Sequence, residues 1–315
     1  LSHFLKLKFK VPTTQFDIYI KPQPSLEQYL IQDHFIMATS RDALHFPDSD
    51  SYQLEDYLPL PFFYQLSRHN YYNKPFVTLT FATSLDSQLA IVPGVQTALS
   101  GPQSKAMTHF LRSKHDAILI GVGTAIADNP SLNCRIEGVG GYGGEGLAGQ
   151  PRPVVVDPHG RWQFTEESKV FKLAKEGRGK APFIVTSVEP SDARRAVLES
   201  VGGKYLVLGL SHEKVQKAGS TWHIVLDALK DRGIQSVMIE GGGFVINDLL
   251  GAGPAYSLIN SVIVTIAPMW LGKGGVQVCP DGGSERLPVT RLQEVKWVPL
   301  GEDVVLCGRP NRSLR

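Results

Sequence analysis

Twice in this chain a buried-strand pattern breaks at glycine and continues into a helix, and that arrangement constrains the fold most. The first instance lies within 117–135. Ala117 to Ile120 is a short apolar run, as in a strand covered on both faces. It breaks at Gly121 and Gly123, where the missing Cβ lets the backbone approach a ligand. Thr124 and Asp128 follow at a spacing of four, so one helical turn sets a hydroxyl and a carboxylate on the same face. Asn129-Pro130 ends that turn, because proline disfavours helical geometry in the residue before it. Arg135 comes just after. A strand, a glycine break, a polar pair and a cation in so short a span are the parts of a site. The second instance is Ser236 to Glu240, then Gly241-Gly242-Gly243 and a helix from Phe244 to Leu250. Such a turn sets free backbone N–H groups and a positive helix end at the carboxyl edge of a sheet, where phosphates bind. A tight strand-to-helix turn that needs glycine for geometry alone is the other reading. The spacing is not the common dinucleotide fingerprint, since the third glycine and the downstream acid do not fit. Glu240, at the strand end, offers a carboxylate to whatever sits over the sheet edge.

Around these two stretches, strand and helix patterns alternate. Phe76 to Phe81 sets Val77, Leu79 and Phe81 against Thr78 and Thr80, a strand pattern. Ser100-Gly-Pro starts a helix that carries Ala106, Met107, Phe110 and Leu111 on its apolar side and ends near Lys114. Strands are expected at Pro153–Asp157, Phe183–Ser187 and Tyr205–Leu208, and a helix at Thr221–Arg232. A β-rich run covers Leu258–Ala267, and Val295–Leu300 with Asp303–Cys307 reads as a terminal hairpin around Gly301-Glu302. The pattern predicts an α/β fold: a mostly parallel sheet flanked by helices and finished by an antiparallel hairpin. Gly138 to Gln150 holds seven glycines in thirteen residues but lacks a P-loop ending, and is expected to be a flexible surface loop.

Residues 74–315 are expected to form one domain and residues 1–73 a partly irregular extension, within which Leu54 to Pro59 suits a short helix packed on the body. The chain begins at Leu1, and Met37-Ala-Thr-Ser-Arg offers a plausible start, so 1–36 is expected to be accessory; its few Lys and sparse Arg do not suit a mitochondrial presequence. A net charge of +2, with no basic stripe interleaved with aromatics, gives no reason to invoke nucleic acid. No apolar run approaches the length of a membrane span. The three cysteines are odd in number and far apart, which argues against a disulfide scaffold or a zinc site and for a reducing, cytoplasmic setting. No metal is expected.

Arg112 closes a helix just before the first stretch, and with Arg135 it would suit a phosphate ester through bidentate hydrogen bonds. Each alone reads as a solvated cation, as Asp86 alone reads as a turn former. His115-Asp116 and His212-Glu213 are adjacent pairs that face apart, and no nucleophile–base constellation stands out.

Four motifs taken together add a resemblance. They are Pro75-Phe-Val-Thr-Leu-Thr-Phe-Ala-Thr-Ser-Leu-Asp, Gly123-Thr-Ala-Ile-Ala-Asp-Asn-Pro-Ser-Leu-Asn-Cys, Arg152-Pro-Val-Val-Val-Asp and Ser236-Val-Met-Ile-Glu-Gly-Gly. In order and spacing, over Pro75 to Gly308, the chain resembles the riboflavin-pathway reductases of the stand-alone fungal type. These are the 2,5-diamino-6-ribosylamino-4(3H)-pyrimidinone 5′-phosphate reductases. The resemblance implies a dihydrofolate-reductase-like fold, NADPH as cofactor, a phosphorylated pyrimidine substrate and a homodimer. It implies hydride transfer that turns a ribosyl side chain into a ribityl one, with the cofactor bringing the hard chemistry.

The resemblance also carries roles onto matching positions. Thr124, Asp128, Gly242, Gly243, Phe244, Val245, Ile246 and Asn247 would contact NADPH, with Ala82 and Ala98 as small residues beside it. Arg112 and Arg135 would hold the substrate, assigned to its 5′-phosphate, with Gln96 and Leu132 lining the site. Glu240 would contact the substrate and take part in catalysis, and Asp86 would position groups or supply the proton. Ser87 stands where the family often has glycine, and Ala98 where relatives often have an aromatic. The His-x-Glu and Pro-Cys-x-x-Cys of a fused zinc deaminase are absent, so the chain is expected to reduce without deaminating, on the diamino substrate. A dihydrofolate or pteridine reductase, and a non-catalytic nucleotide-binding module, are the alternatives on the same fold.

Overall fold

A computed structural model describes residues 5–11, 14–20, 43–59, 74–209, 220–282 and 288–311; Met37 and the His212-Glu213 pair lie outside them. The chain divides into two units, Leu1–Ala43 and Leu44–Arg315. In the first, β1 (Leu5–Val11) and β2 (Thr14–Ile20) pair as an antiparallel hairpin.

The second unit is built on β3 (Phe76–Thr83). Its threonines do not face water as the alternation suggests, for Phe76 to Thr80 are all buried. The strand lies between two parallel neighbours, and helices cover both faces, so it has no wet side. From β3 the chain passes through β4 (Gln88–Ala90) and α2 (Pro102–Ser113), α1 being the short turn Asp48–Ser51. There follow β5 (Ala117–Gly121), α3 (Val122–Asp128) and two strand pieces in the glycine-rich segment, β6 (Val139–Gly140) and β7 (Gly143–Gly144). Next are β8 (Arg152–Val156), α4 (Lys169–Lys175), β9 (Phe183–Thr186), α5 (Asp192–Ser200) and β10 (Lys204–Val207). Then α6 (Thr221–Lys230), β11 (Ser236–Gly241), α7 (Gly243–Leu250) and β12 (Ser261–Ile266) complete the parallel part. A short β13 (Val276–Gln277) pairs with β4, and β14 (Leu292–Leu300) and β15 (Asp303–Pro310) form the terminal hairpin. Helices α4 and α5 escape the sequence reading because each is short and buries few side chains.

The nine-stranded sheet has the order β10-β9-β8-β5-β11-β3-β12-β15-β14. All neighbours from β10 to β12 run parallel, and β15 pairs antiparallel with β12 and β14. This is the dihydrofolate-reductase-like architecture expected. Side chains alternate between two apolar layers rather than between core and solvent. Val77, Leu119 and Ile239 pack with Trp222 and Leu226 of α6 and Ile246 of α7. On the opposite face, Met238 and Ile263 pack with Met107 and Leu111 of α2, while Ile118 and Ile120 pack with Ala125 of α3 and Phe171 of α4.

Part of the expected extension belongs to this body. Phe46, Leu54, Tyr57 and Leu58 are buried in the layer over α2, with the Phe46 and Phe110 rings 5.1 Å apart. Leu44 N donates to Arg135 O at 2.7 Å and Leu44 O accepts from Glu137 N at 3.0 Å, stitching the segment to the loop after α3. The second unit thus begins at Leu44, with four apolar side chains anchored in it despite the segment's acidic, proline-broken composition.

The buried polar groups of β3 are satisfied. His115 Nδ1 donates to Leu111 O at 2.7 Å, so Nε2 accepts from the Thr78 hydroxyl at 2.8 Å, and Thr78 accepts in turn from Ser261 at 3.0 Å. Burial pushes His115 down from 6.5 to about 4. A folded pKa below the unfolded one means that stability is complete above pH 6.5 and is lost as the pH falls toward 4. Unfolding free energy measured by denaturant across this range should therefore carry a slope of about 1.4 kcal/mol per pH unit from this residue alone. His115→Gln should remove it, and equal slopes for the two proteins would refute the assignment.

Candidate active site at the carboxyl edge of the sheet

The connections diverge where β11 lies between β5 and β3. The chain leaves β3 for β5, works outward to β10, returns to fill the gap with β11, and crosses β3 to reach β12. The carboxyl ends of β5 and β11 thus lie where the connections diverge, the usual ligand position in such sheets. Both strands run into helices capped by glycine, α3 at Gly121 and α7 at Gly242, and neither cap makes a side-chain hydrogen bond. The first-turn N–H groups of two neighbouring helices therefore lack a capping side chain at one edge.

The glycines are required by packing as well. A Cβ on Gly242 would come within 2.8 Å of Thr124 Oγ1, and one on Gly121 within 3.0 Å of Val245 Cγ2. Gly241 has φ +108, and its peptide bond to Gly242 is cis. The two readings of the triple glycine are thus compatible: the turn needs glycine for space, and the bare backbone remains beside the Thr124 hydroxyl. Asp128 is half-buried, one turn along α3, and burial raises its pKa while Lys169 lowers it. Asn129, in the left-handed region at φ 41, ends the helix. Residues 242–247 do not share one environment. Val245 and Ile246 are buried in the core, and Phe244 is 83% exposed. The Asn247 amide donates to Gln277 O at 2.9 Å and accepts from Cys279 N at 2.8 Å, so its side chain anchors the loop after β13.

Glu240 and Arg112 meet directly. Nε and Nη2 of Arg112 donate to the two carboxylate oxygens at 2.9 and 2.8 Å, and Nη1 donates to Asn133 O at 3.0 Å. Their side chains are 11% and 19% exposed. A guanidinium has five N–H donors, so the fork and the bond to Asn133 O together leave two. The sequence reading treated Arg112 and Glu240 separately; the fold makes them one neutral unit. Arg135 brings positive charge beside them. Its backbone N donates to His109 Nδ1 at 3.1 Å, and its Nε lies 3.4 Å from His109 Nε2. His109 was not foreseen, although its position three residues before Arg112 on α2 places the two on one face.

The remaining candidates are dispersed. Leu132 has φ 53, and its side chain is 2% exposed within the layer under α3 and α4, so it packs in the core. Gln96 and Ala98 are exposed on the loop after β4, and Ala82 is half-buried near the end of β3. Asp86 accepts from the Ser84 hydroxyl, from Leu271 N at 3.1 Å and from Gly272 N at 2.7 Å. Those hydrogen bonds, Ser84 first, lower its pKa. It is a carboxylate that ties the β3–β4 turn to the loop after β12, an arrangement opposed to proton supply. Among the described residues, no group of three or more His, Cys, Asp or Glu could hold a metal, and no helix is long and apolar enough to cross a membrane.

The glycine-rich segment is a brace rather than a loose loop. Gln150 Nε2 donates to Cys134 O at 2.7 Å and to Gly140 O at 2.8 Å, while its Oε1 accepts from Cys134 N at 2.8 Å. Asn133 Nδ2 donates to Tyr142 Oη at 2.8 Å. The glycines let the backbone fold back on itself: a Cβ on Gly144 would meet Gly138 O at 2.2 Å.

Comparison with known proteins identifies the family. The model of the RibD C-terminal domain matches residues 75–306. The 2,5-diamino-6-ribosylamino-4(3H)-pyrimidinone 5′-phosphate reductase of Debaryomyces hansenii is 42% identical over 259 residues, 81% of this chain and 94% of that protein. The Kluyveromyces marxianus protein of the same name is 39% identical, over 81% of this chain and 93% of its own. Among solved structures, a Saccharomyces cerevisiae riboflavin biosynthesis reductase is 32% identical, with a TM-score of 0.63, over 84% of this chain and 100% of that one. With family model, relatives and fold in agreement, the chain belongs to the RibD C-terminal domain family of riboflavin-pathway reductases.

Proposed function

We infer that this chain reduces 2,5-diamino-6-ribosylamino-4(3H)-pyrimidinone 5′-phosphate to its ribityl form in riboflavin biosynthesis, with NADPH as reductant. One observation carries the reading. Two glycine-capped helix ends, suited to a cofactor's phosphates, open at the same sheet edge as the Arg112–Glu240 pair and Arg135. The chemistry of the turn suits a cofactor's phosphates: bare backbone at Gly242 and Gly243 stands beside the Thr124 hydroxyl, so close that a Cβ on Gly242 would come within 2.8 Å of it. Gly242, Gly243, Thr124 and Asp128 would hold the cofactor, and the bound nicotinamide supplies a hydride.

The reaction adds a hydride to C1′ of the opened ribose and a proton to the attached nitrogen. The chain's own work is orientation. Arg135, held by His109 beside the Arg112–Glu240 pair, would hydrogen-bond the 5′-phosphate. The Arg112–Glu240 pair, being neutral, suits ribose hydroxyls or the base amines better than a second anion contact. We assign Asp86 to holding the loop after β12 over the site. The exposed Val295, Trp297 and Val304 of the terminal hairpin support a homodimer through that face, and three unpaired cysteines support a cytoplasmic setting.

The central test offers the purified protein the diamino substrate, its deaminated counterpart and dihydrofolate, and follows loss of NADPH absorbance. Turnover of the diamino compound above the other two is expected; selective turnover of dihydrofolate would sink the reading. Gly242→Ala should weaken NADPH binding at least tenfold in a fluorescence titration, since the new methyl meets Thr124. Binding equal to that of the wild type would remove the cofactor cradle from this turn. Arg135→Ala should raise KM for the phosphorylated substrate about 10- to 100-fold with little change in NADPH KM. The opposite split would assign Arg135 to the cofactor.

A further inference from the structure

The loop that carries Arg135 is held to α2 by one imidazole. His109, 7% exposed, touches three successive residues of that loop. Its carbonyl accepts from Cys134 Sγ at 3.0 Å, and its ring lies beside the Asn133 backbone. Its Nδ1 accepts from Arg135 N at 3.1 Å, with Arg135 Nε 3.4 Å from Nε2. A neutral imidazole has one in-plane lone pair, so it can accept from only one of the two Arg135 N–H groups. The shorter contact assigns it to the backbone, putting the ring proton on Nε2. Burial, followed by the charges of Arg112 and Arg135, pushes the ring down from 6.5 to about 2, so it stays a neutral acceptor. One turn further along the helix, Arg112 Nη1 reaches Asn133 O. His109 and Arg112 thus grip the same loop, one toward Arg135 and the other toward Glu240.

We propose that His109 is a positioning residue for substrate recognition: through Nδ1 it fixes the backbone of Arg135 and aims that guanidinium at the substrate's phosphate. The inference rests on the reading of Arg135 given above. It makes the position sensitive to which ring nitrogen is replaced. An asparagine amide oxygen falls near the site of Nδ1, whereas a glutamine oxygen falls near that of Nε2. A role in packing alone would not separate them in that way.

The experiment compares His109→Asn, His109→Gln and His109→Ala in steady-state kinetics and in calorimetric binding of ribose 5-phosphate. Ala and Gln should raise substrate KM and the ribose 5-phosphate dissociation constant about 3- to 10-fold, the worth of one lost hydrogen bond. Their kcat and NADPH KM should not move, and Asn should restore substrate KM to within about twofold. If Ala fails to fold, the contrast between Asn and Gln decides alone. Equal impairment by Asn and Gln, a loss confined to kcat, or an unchanged KM in the Ala variant would overturn the proposal. Absence of turnover in the wild type would refute the assigned reaction instead, and the calorimetric series would still decide the role of His109.

Discussion

The site depends on the fork between Arg112 and Glu240. It joins the end of α2 to the end of β11, two elements 128 positions apart in sequence, at 2.8–2.9 Å. Removing one member of a largely buried pair costs about 3–5 kcal/mol, because the other charge is left without a partner. The fork also fixes the loop over it, since the third donor of Arg112 holds Asn133 O. From there the constraint spreads to Tyr142 through the Asn133 amide and to Gln150 through Cys134. A change at Tyr142 or Gln150 can therefore reach the fork through few contacts.

The strand–glycine–helix grammar was legible because glycine and apolar runs are local signals. Ser236–Gly241 and Ala117–Gly121 form nearly as read, as do α2 and α7. What the sequence could not give is partnership. Asp86 and Asn247 look like ligand-facing polar residues, yet both are consumed by backbone groups of loops that only the fold brings near. Val245 and Ile246 sit within the glycine–helix motif but face the core, since the 3.6-residue period puts them on one apolar stripe of α7 with Leu249 and Leu250. The resemblance located the motif, and the periodicity sorted its members.

Composition misled at 138–150. Glycine density suggested freedom, but here the missing side chains permit backbone approaches that any Cβ would block, and Tyr142 and Gln150 convert that closeness into fixed contacts. His109 escaped notice for a different reason. A histidine on the apolar side of a helix resembles filler until the loop across from it is known.

The segment 44–58 lies upstream of the region matched by the family, yet Leu44 bonds the carbonyl of Arg135 and the amide of Glu137, and Phe46 lies on Phe110. The conserved-domain limits and the physical limits of the folded body therefore differ. A fragment trimmed at residue 75 would keep every motif and still expose the apolar side of α2. It would also leave the loop bearing Arg135 without its second support. For expression design or domain grafting, the minimal unit begins at Leu44.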